Sequence, residues 1–274
     1  MLTFPNCKIN LGLNVIGKRA DGFHNIETIF YPIAIKDVLE IVLDETANKE
    51  ITFTTSGLIV QGNDADNLCL KAYYVLKNDF PQLPYIKMHL HKNIPMGAGM
   101  GGGSADGAAV LQLLNNQFNL QINSEKLIDY ALQLGSDCPF FIVNKPSFAS
   151  GRGEILQAIN IDLSAYKIMI VNPGIHVNTG DAFKNLESYN FSAAGFLQQH
   201  ILKDVNQWKD CIKNDFETPV FIKHPTIKDI KETLYKNGAI YAAMSGTGST
   251  VYGIFHKENE LNFKFPSQYF CQVV

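Results

Sequence analysis

The segment PMGAGMGGGSADGAA, Pro95 to Ala109, is the stretch whose residue types and spacing best suit chemistry, with glycine at 97, 99, 101, 102 and 103. Main chain without side chains can approach a polyphosphate closely. The free N–H groups of a following helix's first turn, with the positive end of its dipole, stabilise the anion. Pro95, Met96, Gly97, Ala98, Gly99, Met100, Gly101, Gly102, Gly103 and Ser104 are therefore expected to hold nucleotide phosphates. Ser104 stands where the helix should begin, so its hydroxyl can cap that helix or face a phosphate-bound metal. No G-K-[ST] follows the last glycine, and the acidic residue and spacing of a dinucleotide-binding Rossmann turn are not evident. A mere surface linker has no need to run from an alternating strand straight into an amphipathic helix.

The elements that must position this loop are legible on both sides. IKMHL (86–90) alternates as a strand before it, and Ala108, Leu111, Leu114 and Phe118 recur at helical steps after it. At the N-terminus Lys8, Asn10, Gly12 and Asn14 fall on one side of an extended strand, with Ile9, Leu11, Leu13 and Val15 on the other. A turn-rich GKRADGFH (17–24) and strand-like LEIVL (39–43) and ITFT (51–54) suggest an antiparallel region. A helix is expected from Asn67, and a second from Ser124 to about Gly135, where Gly135 serves as C-cap and Pro139 forbids regular continuation. Further on, YKIMIVNPG reads as a buried strand, 195–213 and 226–237 as helices, and VYGIF (251–255) as a strand. The mixed order argues for an α+β fold in two domains, residues 1–156 and 157–274.

Composition narrows the partners. Hydrophobic residues at 46% and charged residues at 18% describe a globular chain rather than a disordered or membrane-embedded one. A net charge of −3 gives no broad reason to bind nucleic acid or an anionic membrane, so phosphate must be held locally. The N-terminus lacks the order of a secretion signal, and the cytoplasm is the expected location. Cys7, Cys69, Cys138, Cys211 and Cys271 are scattered and form no C-x-x-C pair, which suggests neither disulfides nor zinc; the set of metal ligands is expected to be none.

With these residues in view, the glycine loop resembles the second signature of the GHMP kinases, the family of galactokinase, homoserine kinase and mevalonate kinase. CKINLGLNVIGKRADGFHNI (7–26) resembles the first signature and MSGTGSTVYGIF (244–255) the third. GSDCPFF (135–141) and NPGIHVNTGDAF (172–183) lie between them in the family's order, so the likeness runs over nearly the whole chain. It implies a two-domain GHMP fold, with an N-terminal half like ribosomal S5 domain 2 and a ferredoxin-like α/β C-terminal half. ADGFH and GSDCPFF further resemble the branch that phosphorylates a cytidyl-linked polyol in non-mevalonate isoprenoid synthesis, the methylerythritol phosphate pathway.

The resemblance also implies roles. Asp137 matches the catalytic aspartate that accepts the proton of the attacking hydroxyl, and Lys8 the lysine that keeps it ionised and offsets charge on the moving phosphoryl group. ATP is the implied co-substrate, with Mg²⁺ held by phosphates and water. Asn67 and Lys92 match positions near the adenine nucleotide. Phe23 and Phe183 match the pair that sandwiches the cytosine, and His24 the residue on the base edge. Asn10 and Thr179 match polar residues near the polyol and phosphate, and Gly246, Thr247 and Gly248 line the substrate and phosphate side. The partners implied are two small molecules, with no nucleic acid and no membrane, and the protein is expected to be a monomer or homodimer. Asp106 departs from the pattern, and its carboxylate would repel phosphate unless it faces metal or solvent.

Overall fold

The computed structural model describes residues 1–45, 49–60, 62–186 and 192–274. In chain order its strands are β1 (Leu2–Thr3), β2 (Asn6–Lys18), β3 (His24–Lys36), β4 (Val38–Leu43), β5 (Ile51–Gly57), β6 (Ile86–Lys92), β7 (Ser147–Ser150), β8 (Ile155–Ala158), β9 (Tyr166–Asn172), β10 (Tyr241–Met244), β11 (Val251–His256) and β12 (Phe270–Val273). The helices are α1 (Leu68–Asp79), α2 (Gly102–Gln117), α3 (Ser124–Leu134), α4 (Cys138–Val143), α5 (Thr179–Leu186), α6 (Phe196–His200), α7 (Trp208–Cys211), α8 (Glu217–Lys223) and α9 (Pro225–Lys236). No helix among the described residues is long and apolar enough to cross a membrane.

The chain packs as two compact units. The first comprises 1–8, 32–96 and 101–144; the second comprises 9–31, 97–100 and 145–274. In the first, a sheet of order β1-β4-β6-β5 packs its apolar face, with Leu39, Ile41, Met88 and Leu90, against α1, α2 and α3. β4 pairs with β6 antiparallel, but β5 pairs with β6 in parallel, which corrects the antiparallel expectation for this region. The reason is the connection: α1 carries the chain from β5 back to the start of β6, the crossover that a parallel pair requires.

Helix boundaries follow local chemistry. The Asn67 side chain accepts the Cys69 N–H and starts α1, and Asn123 does the same for α3 through Lys126. Gly135 ends α3 by donating its N–H to the Ala131 carbonyl. Pro139 forbids that helix to continue and opens the next one, since a proline in the first turn of α4 gives up an N–H that has no partner there anyway.

The second unit carries two sheets, β10-β11-β9-β12, antiparallel throughout, and β2-β3-β7-β8. Its core joins Leu13 and Val15 to Val171, Met244, Val251 and the inner face of α9. The helix expected over 195–213 is broken into short pieces, because the Asp204 side chain accepts the Asn206 N–H and restarts the chain there. Along β2 every residue from Cys7 to Val15 is buried, so the polar row Lys8, Asn10 and Asn14 is as enclosed as the apolar one.

Candidate functional site

In the first unit Lys8 of β2 reaches Asp137, with Nζ 3.3 Å from Oδ2. The lysine side chain is 4% exposed and the aspartate 35%, so one partner is enclosed and the other opens to solvent. Asp137 stands at the N-cap of α4, yet its side chain makes no capping hydrogen bond. The carboxylate is thus committed to Lys8 rather than to the helix.

The glycine loop meets the same pair. Gly101 caps α2 at φ +68° in the left-handed region, and a Cβ there would lie 2.9 Å from the Phe141 ring and 3.2 Å from Lys8 Cε. Only glycine lets the main chain pass at this height. α2 then begins at Gly102, so Ser104 is the third residue of the helix and not its cap, a correction to its expected place. The cap is a backbone conformation with no side chain, which leaves the first-turn N–H groups to a ligand.

Gly97, Ala98, Gly99 and Met100 belong to the second unit, where they pack on the turn after β10. Gly99 has φ +75°, and a Cβ would sit 2.0 Å from the Ser245 carbonyl oxygen. Ser245 Oγ donates to the Gly99 carbonyl at 2.8 Å and accepts the Asn10 N–H at 3.1 Å. Asn10 Nδ2 donates to Thr28 Oγ1 at 2.9 Å, and Tyr252 donates to the Asn10 carbonyl at 2.8 Å. The turn itself is held by Asn214, whose amide donates to the carbonyls of Met244 and Gly246 at 2.7 and 2.8 Å. Thr179 and Thr247 are brought together hydroxyl to hydroxyl at 3.2 Å, and Gly248 lies against Val177 and Met244.

The aromatic residues expected around a base also lie in the second unit. His24 stacks on Phe183 with ring centres 4.8 Å apart and planes 21° from parallel, and Phe183 meets Phe216 edge-on. Phe23 is 52% exposed, with the Arg152 guanidinium 4.8 Å from its ring centre. His24 is therefore buried against one of the rings expected around the base.

A cavity of about 300 Å³ opens in the first unit beside the end of β6 and the start of α2. Asn67, Lys92, Met96 and Gly103 line it together with Phe53 and Asp106. Asn67 uses its side-chain oxygen to cap α1. Lys92 is engaged from both sides, donating to Asp37 and, at 2.7 Å, to Asp106 Oδ2. Asp106 is therefore buried on a lysine rather than facing solvent, one of the two conditions that phosphate repulsion had set. Sequence reasoning missed Asp37, Arg152, Asn214 and Ser245 as positioning groups. Ser245 lies inside the third signature and was within reach, whereas Asp37 carries no local signal.

Comparison with known proteins adds a second line. Residues 67–145 match the family model of the GHMP kinases N terminal domain, and 193–264 that of the GHMP kinases C terminal. The 4-diphosphocytidyl-2-C-methyl-D-erythritol kinase of Bacteroides fragilis (strain YCH46) is 48% identical over 261 residues, covering 95% of this chain and 94% of its own. That of Cytophaga hutchinsonii is 46% identical over 263 residues, at 95% and 94%. Among solved structures, a crystal structure of 4-(cytidine 5'-diphospho)-2C-methyl-D-erythritol kinase aligns at TM-score 0.77 and 27% identity, over 93% of this chain and 90% of that one.

Proposed function

We propose that this chain, which belongs to the GHMP kinase family and within it to the 4-diphosphocytidyl-2-C-methyl-D-erythritol kinases, transfers the γ-phosphoryl group of ATP to the 2-hydroxyl of 4-diphosphocytidyl-2-C-methyl-D-erythritol. The observation that carries this reading is the place of Lys8, which lies between Gly101 of the glycine loop and the Asp137 carboxylate. A phosphate tail held on the first-turn amides of α2 has a cation and a base within the same few residues.

Phosphoryl transfer asks little covalent work of the protein. Asp137 takes the proton of the attacking hydroxyl as the new P–O bond forms, the bond to the β-phosphate oxygen breaks, and ADP leaves. The Lys8 ammonium keeps the carboxylate ionised and offsets the charge spread over the moving group. Mg²⁺, expected with ATP, would be held mainly by the phosphates and water and would offset their charge. Asn67 and Lys92 border the nucleotide cavity, Asn67 directly and Lys92 from beneath it. The cytidyl end of the acceptor falls to Phe23, Phe183 and His24, with Arg152 beside Phe23; a flat ring needs only a π face, and Phe23 offers one. Asn10, Thr179 and the Gly246–Gly248 turn serve the polyol and phosphate.

A substrate panel tests the reading. Purified protein with Mg-ATP should phosphorylate the cytidyl-linked polyol and leave galactose, homoserine and mevalonate unreacted. Turnover of one of those alcohols with indifference to the cytidyl compound would move the chain to another branch of the family.

A further inference from the structure

The lysine beneath the nucleotide cavity does more than line it. Asp37 sits in the turn between β3 and β4, and its Oδ1 accepts the N–H groups of Asn93 at 2.6 Å and Ile94 at 2.8 Å, the residues that lead from β6 into the glycine loop. Its other oxygen accepts from Lys92 Nζ. The same ammonium bonds Asp106 on α2, the helix that leaves the loop, and a Cβ on Gly102 would lie 3.1 Å from it. These side chains are 0 to 3% exposed, so the cluster is held together by its own ion pairs. One buried cation thus ties the chain leading into the glycine loop to the helix leading out of it.

We propose that Asp37, Lys92 and Asp106 form a positioning cluster for the glycine loop, and that the cluster takes up a proton at Asp106 when a nucleotide phosphate tail arrives. The inference rests on the nucleotide-binding part of the function proposed above. One ammonium between two carboxylates leaves a negative charge in excess when both acids are ionised, and that charge lies under the helix whose first turn is to bind an anion. Asp106 Oδ1 is buried with no hydrogen-bond partner among the described residues, which makes the ionised form costly at that atom. The groups facing Asp106 are Lys92 from β6, Asp37 from the β3–β4 turn and Cys69 from α1. Burial pushes the Asp106 carboxyl up to about 7, with Lys92 pulling it back and Asp37 pushing it further up. Burial also holds the Cys69 thiol well above its ordinary range, so that group stays neutral. Phosphate charge raises the Asp106 carboxyl further, and by linkage the proton is bound together with the nucleotide.

Calorimetry of Mg-ADP binding to the full chain at about pH 8, in two buffers of different ionisation enthalpy, reads this directly. The native protein should take up a measurable fraction of a proton per nucleotide bound, and D106N, which keeps the shape but cannot ionise, should lose that uptake. KM for ATP should rise with pH through about 7 in the native protein and stay flat there in D106N. A merely structural Asp106 would change stability without moving either quantity. Equal uptake in both proteins overturns the inference. So does binding without uptake in the native protein alone, which needs no variant to fold and leaves the kinase reading standing; no binding of Mg-ADP at all overturns both.

Discussion

Two lysines of the first unit each meet aspartate, and the pairs differ in their access to solvent. Lys8 and Asp137 stand 3.3 Å apart with the carboxylate 35% exposed, whereas Lys92 is enclosed with two carboxylates at 0 and 3%. The residue types are the same; access differs. A carboxylate that water can reach can also meet a substrate hydroxyl, and the lysine behind it tunes its charge. Carboxylates that nothing can reach cannot meet a substrate hydroxyl, and Asp37 instead holds the main chain through the amides of Asn93 and Ile94. On the function proposed above, burial rather than the pairing itself separates the reactive ion pair from the positioning one.

That contrast can be broken at several points. The largest effect is expected at the open pair: Asp137→Ala should lower turnover by about 10²–10⁴-fold, as loss of a general base does, while Mg-ADP still binds. Near-normal turnover would remove Asp137 from the chemistry. At the closed cluster the loss should appear in folding instead. Lys92→Met strands two buried carboxylates and should cost about 3–5 kcal/mol in urea unfolding. Lys8→Met leaves Asp137 beside water and should cost about 1 kcal/mol or less. Equal costs for the two lysines would erase the distinction drawn from exposure.

A further effect is a slope with pH. The Asp106 carboxyl is raised in the folded state from 3.8 to about 7, so its favourable contribution is complete below its unfolded value and is lost as pH rises through about 7. The stability of the native protein relative to Asp106→Asn should therefore fall between about pH 4 and about pH 7, and a flat difference across that window would contradict the burial argument.

How much of this was legible depends on how local the signal was. The glycine loop is contiguous, and its flanking strand and helix announce themselves by period, so loop, β6 and α2 were all read from residues alone. Lys8 and Asp137 are far apart in sequence and each is unremarkable singly; the family resemblance linked them, and the structure places the atoms. Asp37 offered nothing, being a lone aspartate at a strand end whose partners lie more than fifty residues on. Asp106 was expected to need metal or solvent because a like charge near phosphate repels, and a lysine rising from the neighbouring strand was not visible in that reasoning. The buried polar row of β2 likewise reads as a solvated face until the second layer that covers it is known. His24 was expected at a base edge, and its stacking on Phe183 is a tertiary contact that no spacing announces.

The most direct test of the central claim is a crystal structure of the protein with a non-hydrolysable Mg-ATP analogue and the cytidyl-linked polyol. The expected result is a phosphate tail on the amides of Gly101 to Ser104, its terminal group beside Lys8 Nζ, and the acceptor hydroxyl about 2.6–3.2 Å from the Asp137 carboxylate. A terminal phosphate bound away from Lys8, or an acceptor hydroxyl out of reach of Asp137, would contradict it.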